Sequence, residues 1–160
     1  MEIERKFLLT RGAEQELMSL PAPVRIEQAY ISFIPEVRIR KRTYRSTGEL
    51  SWRLTIKGAG GLSRIEISRE LLEEEYEQLM TMRQGYSIIK QYHPDFYGFE
   101  ASVAAVRDTN DIFCYAEKEF INEKDAMSFR IKDFPILARD ITNEAGWKMA
   151  SIARSGGIPR

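Results

Sequence analysis

The pattern that indicates the fold lies in the first nine residues of the chain, Met1-Glu2-Ile3-Glu4-Arg5-Lys6-Phe7-Leu8-Leu9. Side chains two residues apart point to the same face of a β-strand, so Glu2, Glu4 and Lys6 share one face and the apolar side chains lie mainly on the other. A half-buried strand ordinarily turns apolar residues inward and mixed polar residues to solvent. Taken alone, this stretch is therefore interpreted as a strand with a solvated, charged face.

The same alternation recurs in several later stretches, which changes that interpretation. The repeated faces comprise Arg38, Arg40 and Arg42; Arg53, Thr55 and Lys57; Arg64, Glu66, Ser68 and Glu70; Lys90 with Ile88 and Tyr92; and Glu117 with Glu119. Strands that each have one ionic and one apolar face predict a sheet curled round a charged lumen. The predicted fold is α+β, an antiparallel β-barrel (tunnel) of about eight strands with a charged lumen and helices packed outside.

Helical spacing and chain breakers place the remaining elements. The strongest helix prediction covers residues 73–83, where apolar residues recur at helical spacing and glutamates fill the first turns. A short helix or turn is predicted within residues 10–23, and helices over 123–130 and from about 142 to 153, although Gly146 disfavours the last. Further strands are predicted over residues 25–33, 86–92, 97–106 and 112–121, with a turn at His93-Pro94-Asp95.

Two features receive no catalytic role. The sequence Gly58-Ala59-Gly60-Gly61 has neither the Gly-Lys-Ser/Thr ending nor the following helix of a phosphate-binding loop, so it is interpreted as a hairpin. The single histidine, His93, has no partner motif and lies in the predicted turn.

Composition limits the classes of partner. The chain has 160 residues with 24 basic and 24 acidic side chains, so no overall field attracts it to nucleic acid or membrane. A single domain over 1–160 is expected, with residues 155–160 as a flexible tail. The single cysteine, Cys114, excludes an intramolecular disulfide and indicates a reducing, cytoplasmic location. No segment reaches the ~20 apolar residues that a membrane span needs.

The amino-terminal residues also carry a family signature, since Glu2-Ile3-Glu4-Arg5-Lys6 matches the Glu-x-Glu-x-Lys motif of the CYTH superfamily, the triphosphate tunnel metalloenzymes. Further matches follow in the family's order: Arg38-Ile39-Arg40, Leu54-Thr55-Ile56-Lys57, Gly60-Gly61-Leu62-Ser63-Arg64 with Glu66, Lys90, and Glu117-Lys118-Glu119-Phe120. The family includes class IV adenylyl cyclases, thiamine triphosphatases and inorganic tripolyphosphatases. The resemblance spans nearly the whole chain and is strongest to the small bacterial tripolyphosphatases.

The resemblance implies a divalent-metal-dependent hydrolase of triphosphate compounds, with inorganic tripolyphosphate as the expected substrate. Fixed cations interleaved with carboxylates suit such a polyanion, and oxygen ligands suit Mg²⁺ or Mn²⁺. Substrate binding is predicted for Lys6, Arg38, Arg40, Lys57, Arg64 and Lys90, with a catalytic role for Lys6, Lys57 and Lys90. Metal binding is predicted for Glu2, Glu4, Glu66, Glu117 and Glu119. Water, activated by the metal, would attack a phosphoryl group.

Three positions depart from the family pattern and leave alternatives open. Ser68, Tyr92 and Ser102 stand where relatives often have charged residues, and Glu70 is the candidate replacement for the first. The alternatives are a class IV-type adenylyl cyclase and a non-catalytic module that binds polyphosphate or RNA 5′-triphosphate ends. The arginine strands alone favour a nucleic-acid patch. The expected partner is nonetheless a small-molecule triphosphate, with no nucleic acid or membrane, bound by a monomer or homodimer.

Overall fold

A computed structural model describes residues 1–160 and has an α+β architecture with ten strands. The strands are β1 (Glu2–Leu9), β2 (Val24–Phe33), β3 (Glu36–Tyr44), β4 (Leu50–Lys57), β5 (Ser63–Arg64), β6 (Glu66–Glu70), β7 (Gln84–Phe96), β8 (Phe99–Val106), β9 (Ile112–Glu119) and β10 (Leu137–Asp140). The helices are α1 (Arg11–Ser19), α2 (Glu73–Met80), α3 (Glu123–Ser128) and α4 (Met149–Ser155), and 3₁₀ turns cover Ile131–Asp133 and Ala145–Trp147. None of the helices combines the length and the apolar character needed to cross a bilayer.

The strands form a single antiparallel sheet that curls into a tunnel. Their spatial order is β10-β1-β9-β8-β7-β2-β3-β4-β6, and β5 pairs with β1 through Glu2 opposite Arg64 and Ile3 opposite Ser63. This short pairing joins the two sides of the sheet. The predicted antiparallel tunnel is therefore confirmed, with a few more strands than the sequence indicated.

Three helices cover apolar parts of the outer sheet surface. Beneath α1 and α3 lies a cluster that includes Phe7, Leu17 and Ala116, and beneath α2 lies a smaller one with Ala29 and Ile39. Polar residues fix where α1 and α3 begin, because the main-chain N–H groups of a first turn lack helical partners. The α1 cap is Thr10, whose hydroxyl accepts from Ala13, and the α3 cap is Asn122, whose side chain accepts from Asp125.

Helix α4 instead closes one end of the lumen. Its residues Met149 and Ile152 pack against Tyr30, Ile88 and Tyr115, which lie on the inner face of the sheet. These side chains are buried, so the lumen has an apolar end wall next to its charged middle. The tunnel consequently has one blind end.

Three element predictions were wrong at their boundaries. Strand β7 continues through Pro94 to Phe96, since an irregularity between His93 and Phe96 accommodates a residue that lacks an N–H donor. The turn follows at Tyr97 and Gly98, both with positive φ. The final helix begins at Met149, well after the predicted residue 142.

Contacts with β1 explain why the final helix starts late. The N–H of Ile141 donates to the carbonyl of Lys6 at 2.9 Å, and the Lys6 ammonium donates to the carbonyl of Trp147 at 2.7 Å. Residues between these contacts run across the sheet before the chain turns into α4. Strand β10, just before them, was missed because it has only four residues.

The end of the chain makes specific contacts. The N–H of Ile158 donates to Asp111 at 3.1 Å, and Arg160 forms an ion pair with Asp111 at 2.6 Å. The flexibility of residues 155–160 and the single-domain assignment stay predictions.

Candidate active site in the charged tunnel

A cavity of about 240 Å³ occupies the lumen beside the apolar end wall. Its lining includes every residue predicted to bind substrate or metal, namely Lys6, Arg38, Arg40, Lys57, Arg64, Lys90, Glu2, Glu4, Glu66, Glu117 and Glu119. The strand period explains this convergence, because all of them occupy inward positions of their strands. The structure thus brings the predicted set together, and the role of each residue stays a prediction.

The cationic side of the cavity has positive charges without carboxylate partners. Arg38 and Lys90 are buried, and Arg38, Arg40, Lys90 and Lys6 make no ion pair within the protein. The Nε of Arg38 is buried without any hydrogen-bond partner. Burial, reinforced by nearby arginines, lowers the pKa of Lys90, and burial together with Arg38 lowers the pKa of Arg40 to about 10. A bound anion would relieve this mutual repulsion.

Two neutral residues that the sequence did not indicate hold these cations in place. The Arg40 Nε donates to Gln28 Oε1 at 3.1 Å, and Gln28 Nε2 donates to the Tyr30 hydroxyl at 3.3 Å. Gln28 is fully buried on β2, directly opposite Arg40. The strand alternation could have placed Gln28 on an inward face beside the arginine strand. The inward face of β2 has no charged residue, however, so the sequence gave no reason to choose Gln28 as a site residue.

The second of these residues, Tyr115, lies beneath two lysines. The Lys6 ammonium is 4.4 Å from the centre of its ring, and the Lys90 ammonium is 5.4 Å from it. The negative face of an aromatic ring attracts cations, and more strongly where water is excluded. Tyr115 therefore orients both lysines without neutralising them, which leaves their charge for a ligand.

Replacing Tyr115 separates this orienting role from packing. If the cavity acts on the triphosphate that the family resemblance implies, Tyr115→Phe, which keeps the ring, should retain most of that activity. Tyr115→Leu should lose about tenfold in kcat/KM, because each cation–π contact contributes ~0.5–2 kcal/mol. Steady-state phosphate release and thermal unfolding of both variants provide the measurement. A Tyr115→Leu variant with lowered Tm but unchanged kcat/KM would leave the ring a packing role only.

The acidic side of the cavity groups carboxylates from both ends of the sheet order. Oxygen atoms of Glu2, Glu4 and Glu119 lie within 4.8 Å of one another, an arrangement that can hold a metal ion. Glu117 adjoins Glu4 and Glu66 adjoins Glu2, closely enough for each neighbour to raise the pKa of Glu4 and of Glu66 respectively. All five predicted metal ligands are thus linked in one acidic cluster.

The protonation of this cluster fits a divalent cation. Burial and the adjacent Glu117 carboxylate raise the pKa of Glu4 to about 10. Burial also opposes ionisation of Glu117, but the Lys6 ammonium and the neighbouring Glu4 hold the pKa of Glu117 low. A divalent cation among these carboxylates would displace the proton of Glu4, because Mg²⁺ and Mn²⁺ prefer ionised carboxylate oxygens. The residues present therefore fit the metal that the family implies.

Two cations at the rim of the cavity already have carboxylate partners. Lys57 pairs with Glu2 at 3.0 Å, and Arg64 pairs with Glu36 at 2.9 Å. Glu36 is a further lining residue that the sequence did not indicate, since it precedes the arginine pattern of its strand. The first pair ties Lys57 to the acidic cluster, and the second neutralises Arg64 through a carboxylate outside that cluster.

Two of the three departures from the family pattern, Tyr92 and Ser68, form side-chain hydrogen bonds. Tyr92 donates to Glu100, and Ser68 shares a hydrogen bond with Thr55 at 2.8 Å. The suggestion that Glu70 replaces a missing acid was wrong, because Glu70 does not line the cavity and its side chain is 85% exposed. At the end of the short strand β6 its side chain reaches only Arg53, at 3.9 Å, which is also outside the cavity.

Comparison with known proteins agrees with this architecture. No family model matches the sequence. The chain is 28% identical to an inorganic triphosphatase of Nitrosomonas europaea over 158 residues, which covers 96% of this chain and 97% of the relative. A solved inorganic triphosphatase superposes with a TM-score of 0.55 at 21% identity over 99% of this chain and all of the other. An adenylyl cyclase candidate from Hippeastrum with a dominant triphosphatase activity gives 0.59 at 13% identity, covering 99% of this chain and 98% of that one.

Fold and site together resemble those expected of a triphosphate tunnel protein. The solved structures share the fold, and the relative from Nitrosomonas extends the likeness over nearly the full length of both sequences. The resemblance to the CYTH superfamily that the sequence motifs carry is confirmed by this relative and by the shared fold.

Proposed function

We propose that this chain is a triphosphatase whose substrate is inorganic tripolyphosphate and whose activity depends on Mg²⁺ or Mn²⁺. One observation carries the proposal: buried cations without carboxylate partners face an acidic cluster across a single cavity. The cations suit a dense polyanion, and the acids suit the metal that accompanies it. The relative from Nitrosomonas, an inorganic triphosphatase, supports the reaction class.

The proposed role of each residue follows from its position in the cavity. Arg38, Arg40 and Lys90 would bind the phosphoryl oxygens and stabilise the charge that develops on them, and Lys6 would do so next to the acidic cluster. Glu2, Glu4 and Glu119, with Glu66 and Glu117 beside them, would hold the metal. The bound metal would supply charge neutralisation and lower the pKa of a coordinated water.

The reaction itself needs no covalent nucleophile from the protein. A water oxygen forms a bond to a terminal phosphorus while the bridging P–O bond breaks, so orthophosphate and pyrophosphate are released. Lys57 and Arg64, which also line the cavity, would bind the departing pyrophosphate. The apolar end wall built by α4 limits the water around the held phosphates, which strengthens each charge interaction.

A phosphate-release screen tests the proposed function. The substrates are tripolyphosphate, thiamine triphosphate, ATP and an RNA 5′-triphosphate, each with Mg²⁺, with Mn²⁺ and in EDTA. We expect the highest rate with tripolyphosphate and metal. Cyclic AMP as the product from ATP would identify the adenylyl cyclase alternative, and tight metal-independent binding without phosphate release would identify the non-catalytic one.

Triphosphate should also stabilise the folded chain, since a ligand that binds only the native state shifts the folding equilibrium. In EDTA, at about 100 times Kd, the stabilisation of ~2.7 kcal/mol corresponds to a rise in Tm of roughly 5–10 °C. Pyrophosphate should raise Tm less, because it reaches fewer of the cations. Equal shifts from sulfate at the same ionic strength would indicate general anion screening in place of a shaped site.

We also propose a cytoplasmic location, as the cysteine content indicated. Cys114 is a buried, free thiol in the outer core. Such a core thiol is compatible with a reducing compartment.

A further inference from the structure

Strand β6 (Glu66–Glu70) ends the sheet and has no strand along its second edge. The N–H of Gly58 donates to the carbonyl of Ile65 at 2.9 Å, which fixes the phase of the antiparallel ladder between β4 and β6. Because hydrogen-bonded pairs alternate along such a ladder, the N–H and C=O of Ser68, and of the glutamates at both ends of the strand, point away from β4. The free edge therefore presents a row of unpaired main-chain donors and acceptors.

The outer face beside this edge is apolar and exposed. Ile67 is 62% exposed and Ile65 is 60% exposed, and Ile56 on β4 lies directly opposite Ile67. No helix covers them, although helices cover the comparable faces elsewhere in the barrel. Of the devices that protect an edge from pairing, β6 is short and has charged residues, but it has neither a proline nor a bulge.

We propose that two copies of this chain form a homodimer by antiparallel pairing of their β6 strands about a two-fold axis at Ile67. In this register Glu66 lies opposite the partner's Ser68, so the outward main-chain groups of both strands bond each other. Ile67 meets the partner's Ile67 on the outer face, and Ile56 extends the apolar strip on each side. The dimer buries the exposed strip and continues the sheet from one copy into the other.

Charge selects this register over its neighbours. Centring the pair on Ser68 would place Glu66 opposite the partner's Glu70, and centring it on Arg69 would place two arginines face to face. Like charges directly opposite each other destabilise a strand pair. The Ile67-centred register places no like charges opposite each other, and it sets Arg69 against the partner's Ile65, whose apolar surface can pack on the arginine stem.

A cysteine placed at the axis tests the pairing and its register together. Across a non-hydrogen-bonded pair the Cα atoms are about 4.5 Å apart, a separation that a disulfide spans. Ile67→Cys should therefore form a covalent dimer under mild oxidation, while the native Cys114 is buried and stays reduced. Arg69→Cys is the matched control on the same face, because in this register its two copies are offset by roughly 13 Å along the strand.

The native mass gives an independent readout. Light scattering coupled to size exclusion should report twice the chain mass for the wild type, half that value for Ile67→Lys, and the wild-type value for Ile121→Lys, which changes another exposed isoleucine. Phosphate release should be unchanged in Ile67→Lys, so failure of the dimer is distinguishable from failure of the proposed function. Equal cross-linking of the two cysteine variants, or a wild-type monomer at every concentration, would overturn the proposal.

Discussion

Glu4→Gln is expected to abolish metal-dependent phosphate release, with a loss of at least about 100-fold in kcat, while triphosphate binding in EDTA persists. Glu4 lies between Glu2, Glu119 and Glu117 in the acidic cluster. The amide keeps the size of the side chain and removes the negative charge that a hard cation requires. The partner-free cations across the cavity still attract the polyanion, so turnover and binding should separate.

The fold should survive this substitution. Burial and the adjacent Glu117 carboxylate raise the pKa of Glu4, which favours its neutral form, and a glutamine amide is also neutral and can donate to that carboxylate. Measuring phosphate release against Mn²⁺ concentration, with calorimetric binding of tripolyphosphate in EDTA, tests both halves of the prediction. Glu14→Gln, on helix α1 outside the cavity, is the control. Wild-type turnover and metal dependence in Glu4→Gln would remove Glu4 from the metal site.

Arg38→Ala and Arg40→Ala should each weaken tripolyphosphate binding by about 10- to 100-fold, because hydrogen bonds to a charged group contribute ~1.5–3 kcal/mol. Thermal stability should not fall in Arg38→Ala, since this guanidinium has no ion pair and its Nε lacks a partner. In Arg40→Ala the loss of the bond to Gln28 is offset by reduced repulsion from Arg38.

Calorimetric titration in EDTA and thermal unfolding measure these two effects. The matched control is Arg25→Ala on β2, whose outward side chain is 43% exposed and weakly paired with Glu27 at 3.8 Å. Unfolding of both lumen variants, together with no triphosphate binding by the wild type, would make these arginines structural partners of the glutamates and place the site elsewhere.

The tunnel and its charged lining could be predicted because a β-strand has a period of two. Glu2, Glu4 and Lys6 at one end of the chain and Glu117 and Glu119 near the other have the same alternation, so their inward faces could be assigned without knowing which strands pair. The structure then brings β1 and β9 together with Glu4 opposite Glu119. The two-residue period of a strand was sufficient to assign the inward face of each strand. The family motifs indicated the order in which the site residues follow along the chain.

Features that depend on which strands pair, and on which side chains meet across the lumen, could not be predicted from the sequence. Gln28 is significant only because β2 lies beside the arginine strand, and Tyr115 only because two lysines from other strands converge above its ring. The tunnel has a blind end because α4 packs inside the lumen. From the sequence, the apolar residues of α4 indicate only that this helix is partly buried. Glu70 is a case in which the alternation was correct but the predicted location was wrong. It has the inward parity of its strand, yet it lies at the strand's end and does not line the cavity.

Cleavage of triphosphate in the tunnel can be observed by ³¹P nuclear magnetic resonance of tripolyphosphate incubated with the wild-type protein and Mg²⁺. The prediction is that the resonances of tripolyphosphate are replaced by those of pyrophosphate and orthophosphate in equal molar amounts, and that EDTA prevents the change. Tripolyphosphate that stays intact with Mg²⁺ and with Mn²⁺, while calorimetry shows it bound, would contradict catalysis and leave a binding protein.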